Sequence, residues 1–221
     1  MNTITVVCST RKIDDTYVNH IKKFFSHPKN QYIFIENDGT KSLTQVYNEG
    51  LDQSDNDIVV FIHDDLELET KNLTPKIIKL FDKNPEYGII GLAGTDNLIS
   101  GQWWQDRDSM QGQVGHIHDG KKYISKYSNS FEDKIKEVVV IDGLFMMIHK
   151  KRIKKNFDTQ FDGFHFYDLP ICLLNHLEGV KVGITTKIKL YHKSIGEVDK
   201  KWAKSKLFFE ALYEKHLPIK V

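Results

Sequence analysis

The sequence predicts an α/β domain built on a mixed, mainly parallel sheet flanked by helices, and three observations carry that expectation. Short β-branched runs alternate with segments whose apolar residues recur every three or four positions through residues 1–93. One run, Ile58-Val59-Val60-Phe61-Ile62, is apolar without interruption, as a strand covered on both faces requires. Polar residues gather directly after the strands, at Ser9-Thr10-Arg11, Glu36-Asn37-Asp38-Gly39 and His63-Asp64-Asp65, where an open α/β sheet leaves room for a ligand.

Taken in order, Ile4 to Cys8 reads as a strand, Tyr17, Ile21, Phe24 and Phe25 as one helix face, and Tyr32 to Ile35 as the next strand. Leu43, Val46, Tyr47 and Leu51 mark a second helix ahead of the Ile58 to Ile62 strand. Leu73, Ile77, Ile78, Leu80 and Phe81 mark a third, followed by a strand over Gly88 to Ala93. Residues 94–137 lose this periodicity, which predicts long loops and a hairpin; loops of that length usually carry a function. Val138 to Ile141 restores a strand, Asp142-Gly143 interrupts it, and Leu144 to Ile148 resumes, as one bent strand or two paired ones. Asp168 is placed to N-cap a helix that has Pro170 in its first turn, runs through Ile171, Leu173, Leu174 and Leu177, and closes at Gly179. A strand over Val182 to Tyr191 and a helix through Trp202, Leu207, Phe208, Leu212 and Tyr213 complete a single domain over residues 1–221.

Composition narrows the function. The chain carries 31 basic and 30 acidic residues, a formal charge of +1, so no electrostatic drive toward nucleic acid is expected. No apolar run approaches the ~20 residues that cross a bilayer, and the N-terminus lacks the basic and apolar segments of a secretory signal. Cys8 and Cys172 sit in apolar segments without a CxxC spacing, which predicts buried, reduced, inert thiols and a cytoplasmic setting. The basic run Lys150-Lys151-Arg152, continued by Lys154-Lys155, reads as a solvated helix face, with loose attachment to the inner face of a membrane as a second reading.

Several residues invite chemistry. His63-Asp64-Asp65 follows the most apolar strand, so its carboxylates stand at the mouth of the sheet, and paired acids there call for a cation; oxygen ligands with an imidazole nearby suit Mg²⁺ or Mn²⁺, whose open positions accept phosphate oxygens. A capped, solvent-facing turn explains the same residues equally well. Asp142-Gly143 reads either as a donor-sugar or acceptor contact beside a glycine that admits close approach, or as a bulge with a polar cap. Trp103 and Trp104 offer faces for stacking on a sugar, or anchors for a long loop. His116 and His118 lie on one strand face without an identified third ligand.

The succession ITVVCSTR, YIFIENDGT, VYNEG and VVFIHDDLEL, with VVVIDGLFMMIHKK, FDGFHFYDLPICLLNHLEGVKVG and LYHKS further on, resembles a family 2 glycosyltransferase of the GT-A fold over nearly the whole chain. The resemblance implies a nucleotide-binding half over residues 1–93 and an acceptor-binding half over 94–221. It implies an inverting, metal-dependent transfer from a nucleotide-diphosphate sugar, a UDP-sugar foremost, to a hydroxyl of a glycan, lipid-linked glycan or protein glycan, in polysaccharide biosynthesis. Thr10 and Arg11 stand where the family's first loop touches the nucleotide, Glu36 where an acid holds the base, and Asn37 and Asp38 follow. Asn48 matches an asparagine of the second helix, equally explained as a helix-end residue. His63-Asp64-Asp65 occupies the Asp-x-Asp position with histidine for the first acid, making Asp65 the metal ligand and Asp64 a ribose partner. His192 matches a histidine that reaches the metal or diphosphate. Tyr167-Asp168 replaces a Glu-Asp pair, leaving Asp168 as the base. A metal-dependent phosphohydrolase built on His63, Asp64, Asp65, His116 and His118 is the alternative enzyme, and a non-catalytic nucleotide-sugar-binding module the alternative of another kind.

Overall fold

The computed structural model describes residues 3–128, 135–194, 196 and 198–221. In chain order its elements are β1 (Thr5–Thr10), α1 (Asp15–Phe25), β2 (Gln31–Glu36), α2 (Leu43–Asp52), β3 (Ile58–Ile62), β4 (Leu66–Leu68), α3 (Leu73–Lys83), β5 (Tyr87–Gly91), β6 (Ala93–Thr95) and β7 (Asn97–Leu98). Then come β8 (Met110–His118), β9 (Lys121–Lys126), β10 (Lys136–Val138), β11 (Val140–Ile141), β12 (Phe145–His149), α4 (Asp168–Leu177), β13 (Lys181–Ile184), β14 (Leu190–His192), α5 (Lys200–Tyr213) and β15 (Ile219–Lys220).

The central sheet has the order β10-β13-β5-β12-β3-β1-β2. β2, β1 and β3 run parallel, joined by the α1 and α2 crossovers, as the alternating pattern predicts. β12 enters antiparallel between β3 and β5, so the sheet is mixed. All five residues of β3 are buried, which accounts for its uninterrupted apolar run. Local signals place the helices. Asp14 caps α1 by accepting from Tyr17 N at 3.0 Å, and Ser42 and Gln45 form a capping box on α2. Gly50 lets α2 lie against β1, where a Cβ would come 2.5 Å from Val7.

A second sheet, β11-β6-β8-β14-β4 with β9 paired to β8, stands at the carboxyl end of the central strands. It is the main departure from the sequence reading. Residues 94–137 do hold the expected hairpin, β8–β9, but also strands β6 and β7 and the start of β10; residues 129–134 lie outside the described set. Glycines and polar residues hid these strands: two of the four buried positions of β8 are Gly112 and Gly115, and β6 is Ala93-Gly94-Thr95. Asp142-Gly143 neither bends one strand nor joins a pair, since β11 belongs to the second sheet and β12 to the central one. Val182 to Tyr191 divides in the same way into β13 and β14. The chain changes sheets at these two points, and no hydrophobic period records such a change.

Two further expectations are corrected. Asp168 is the first residue of α4 and not its N-cap; Tyr167 takes the cap position, with no side-chain cap bond. The Lys150–Arg152 run is a turn and not a helix face. Lys150 Nζ donates to the carbonyls of Leu51 and Ser54, each at 2.8 Å, and Arg152 donates to those of Phe81, Asn84 and Tyr87, so these cations cap the ends of α2 and α3. Cys8 and Cys172 are free and buried.

Candidate metal and transfer site

The end of β3 is held from three sides. His63 N donates to Leu144 O at 3.1 Å, Tyr17 Oη donates to His63 O at 2.5 Å, and Lys193 N donates to Asp65 O at 3.1 Å. The last bond ties the Asp64-Asp65 turn to the exit of β14, bringing together side chains 127 positions apart in the chain (192 − 65). His63, Asp65 and His192 each present one donor atom, all within 4.8 Å of one another. His63 Nδ1 lies 3.4 Å from His192 Nε2, which lies 3.1 Å from Asp65 Oδ1.

Asp65 Oδ1 is buried with no hydrogen-bond partner, so its contact with His192 is an ion pair whose geometry falls short of a hydrogen bond. Burial opposes ionisation of Asp65, yet His192, Ser194 and the charge of His63 hold its carboxyl down at about 2. Burial works against charge on His192 too, but Asp65 and then Asp142 push its pKa up. His63 is driven down to about 4 by burial and by the neighbouring His192. An orphaned carboxylate oxygen facing two imidazole nitrogens fits a divalent transition metal, with His63, Asp65 and His192 as its ligands.

Tyr167 completes this arrangement. Its hydroxyl lies 2.6 Å from His63 Nε2, which leaves Nδ1 as the free donor of that ring when Nε2 carries the proton. The phenol is buried and packs edge-on against Tyr47, and it occupies the space beside Gly143, where a Cβ would come 2.4 Å from Tyr167 Cε2. Gly143 therefore admits a tyrosine ring, where the sequence suggested a sugar or diphosphate. The preceding residue, Phe166, takes φ +60°, a left-handed backbone unusual for a bulky side chain, with its ring buried against Phe161, Trp202 and Phe209. This kink turns Tyr167 and Asp168 inward.

Asp168 is half-buried. Its Oδ2 accepts from Gly143 N and its Oδ1 from Leu169 N, each at 2.9 Å. Burial, followed by the charge of Asp142, overrides those bonds and pushes its carboxyl up to about 7. Asp142 is likewise raised by burial, against the opposing pull of His192 and His116. Burial, and after it the charge of Asp168, pushes the Tyr167 phenol up.

Beside this site a cleft of about 460 Å³ opens between the ends of β1 and β3, lined by Thr10, Lys12, Tyr17, Asp64 and Lys193 among others. Thr10 and Asp64 thus share one cavity, whose other charged lining residues are Lys12, Lys193, Asp14 and Glu67. Arg11 is exposed and is not among the lining residues. Glu36 accepts from Ile13 N at 2.9 Å and Asn37 organises its own loop through Gly39 N and Lys41 O; neither is among the residues that line the cleft.

Other candidates take structural places. Asn48 exchanges two bonds with Phe157, locking α2 to the loop ahead of α4. Trp103 is buried against Trp104 and Tyr127, and Trp104 packs on Trp202, so the pair anchors its loop. His118 pairs with Asp119 at the exposed hairpin, while His116 stacks on Tyr123 and stands in register beside His192 on the neighbouring strand, its buried Nδ1 without a hydrogen-bond partner. The exposed ring near the metal donors is instead Phe164, 5.7 Å from the His63 ring, which sequence reasoning missed for lack of any pattern around it.

A parallel β1–α1–β2–α2–β3 half, a metal-type donor set at the end of β3 and a base-like carboxylate opening a late helix define a GT-A-fold architecture. The sequence matches the model of a glycosyltransferase-like family over residues 4–216, and the chain belongs to that family. It is therefore a glycosyltransferase. No curated protein matches the sequence significantly. Three solved structures share the fold. Mannosyltransferase PcManGT from Pyrobaculum calidifontis, in complex with GDP-Man and Mn²⁺, aligns at TM-score 0.60 and 9% identity over 99% of this chain and 65% of that one. GalNAc-T7 with UDP, GalNAc and Mn²⁺ aligns at 0.57 and 10%, over 95% and 47%. A197 from STIV aligns at 0.50 and 12%, over 88% and 87%.

Proposed function

We propose that this glycosyltransferase moves a sugar from a nucleoside-diphosphate sugar to an acceptor hydroxyl with inversion, using a divalent metal held by His63, Asp65 and His192. The convergence of those three donors at the rim of the Thr10–Asp64 cleft carries the reading. When bound, the metal neutralises charge on the departing diphosphate. Lys12 and Lys193, on the cleft wall, add positive charge where the nucleotide's phosphates would lie. Two of the fold's relatives are complexes with nucleotides or nucleotide sugars and Mn²⁺, which supports the donor class, with a UDP-sugar the first to test.

Asp168 takes the proton of the acceptor hydroxyl as that oxygen bonds the anomeric carbon and the carbon–phosphate oxygen bond breaks, its electron pair leaving on the diphosphate. A carboxyl near 7 is matched to that step at neutral pH. Its two backbone donors fix the carboxylate's direction, and Asp142 stands ready for a donor or acceptor hydroxyl. Residues 1–93 supply the nucleotide side and 94–221 the acceptor side. The two buried free cysteines suit a reducing, cytoplasmic compartment.

Hydrolase chemistry on His63, Asp64, Asp65, His116 and His118 is disfavoured because Asp64 lines the neighbouring cleft and His118 points to the hairpin tip. The test is thermal stabilisation by UDP with and without Mn²⁺. Stabilisation is expected when both are present, and Asp65→Ala is expected to abolish it. Equal stabilisation of the Asp65→Ala protein removes the metal assignment, and absence of any UDP effect removes the donor class.

A further inference from the structure

We propose that the acceptor is a carbohydrate of at least two sugar units, bound along the face of the second sheet that carries His192, His116 and Tyr123. What this face leads to rests on the transfer reading above. His192 of β14 stands in register with His116 of β8, which runs parallel to it, and His116 stands in register with Tyr123 of β9 across the hairpin. Cross-strand partners present their side chains to one face, so the three rings form a row. At about 4.8 Å from strand to strand, the row runs about 10 Å from His192 to Tyr123, longer than one sugar ring.

The inner end of the row is the proposed reaction centre, because His192 Nε2 lies 3.1 Å from Asp65 Oδ1 and 3.4 Å from His63 Nδ1. The outer end is open. His192 is 9% exposed and Tyr123 45%, with His116 half-buried between them. Packing alone does not account for His116. Its ring stacks on Tyr123 with centroids 5.2 Å apart, which supports the hairpin. Yet its Nδ1 is buried without a partner, and its Nε2 is not buried and makes no hydrogen bond among the described residues. An apolar residue would fill that place without the unsatisfied nitrogen.

Chemistry selects the occupant. A sugar stacks its C–H face on an aromatic ring and spends its hydroxyls on hydrogen bonds, and this row offers an exposed tyrosine face beside a free imidazole nitrogen. Ser125, two positions along β9, adds a hydroxyl to the same face. No carboxylate or ammonium lies in the row between His192 and Tyr123 to select a charged acceptor. The sugar whose hydroxyl reacts sits at the His192 end, the next stacks on Tyr123, and His116 Nε2 exchanges a hydrogen bond with a hydroxyl between them.

A glycan array probed with the full chain, with and without UDP and Mn²⁺, tests it. At least one oligosaccharide is expected to bind, and Tyr123→Ala and His116→Ala are expected to raise the Kd for it about tenfold, whereas Tyr123→Trp retains it. Ile124→Ala, on the reverse face of the hairpin, should bind as the parent does. Tyr123 is exposed, so its alanine variant should melt with the parent; if it melts early, Tyr123→Leu, which keeps bulk without an aromatic face, decides. No glycan bound by the parent, unchanged binding by the Tyr123 variants, or equal affinity for single sugars overturns the proposal. Stabilisation by UDP and Mn²⁺ should be the same in the Tyr123 variants and the parent. If the parent lacks it while glycan binding still depends on Tyr123, the transfer reading fails and the sugar-binding face stands.

Discussion

As the proposed base, Asp168 carries opposite demands, because a base must be ionised yet hold a proton well enough to take one. Opening a helix favours its anion and burial beside Asp142 disfavours it; burial wins, and the carboxyl rises to about 7 from 3.8. The folded state thus binds the proton more tightly than the unfolded chain. Its contribution to stability falls as pH climbs from about 4 through 7. Asp168→Asn should therefore stabilise the metal-free protein, and by more at pH 8 than at pH 5, while lowering turnover by about 10²–10⁴. Melting curves at the two pH values check the first part and product assays the second; a variant with full turnover refutes the base assignment. In the parent, kcat/KM should rise with pH through a limb near 7. Asp168, Asp65 and His192 were legible as individual residues. The partnership of His63 with Tyr167 was not, because each substitution taken alone looks like the loss of an acid, and only their 2.6 Å contact shows one answering the other.

At the scale of elements, α4 shows what holds the site in place. Asn175 is fully buried inside it and makes four bonds, accepting from Lys154 N and Lys155 N and donating to Lys155 O and Ile171 O. The helix that begins at Asp168 is thereby fastened to the turn after β12. Asn175→Ala removes the acceptor of two part-buried backbone amides, at about 1–3 kcal/mol for each group left unpaired. A loss of about 2–4 kcal/mol in urea denaturation is expected, with Mn²⁺-dependent UDP stabilisation retained; an unchanged midpoint would mean water or repacking replaces those bonds. The parallel half of the fold was legible because its helices carry caps and its strands a clear period. The second sheet was not, because β4, β6, β7, β11 and β14 are two or three residues long, too short to show any period.

For the molecule as a whole, the proposed metal donors would act as a clip between sheets. His63 ends β3 of the central sheet, whereas His192 ends β14 of the second and Asp65 lies in the turn between. An ion that all three hold binds the native state and has no comparable site in the unfolded chain, so it stabilises global folding by about 2.7 kcal/mol at a hundred times its Kd. For a chain of this size that corresponds to a melting shift of about 2–4 °C per kcal/mol. Two imidazoles and one carboxylate favour Mn²⁺ over Mg²⁺, which prefers oxygen ligands and gives up its waters reluctantly. At equal concentration, Mn²⁺ should therefore raise the melting temperature more than Mg²⁺ does. His63→Ala should erase most of that difference, because the single remaining imidazole no longer sets the preference. Equal shifts by the two ions in the parent would mean that His63 carries its proton on Nδ1 and leaves the ion to Asp65 and His192 with oxygen ligands from outside the protein.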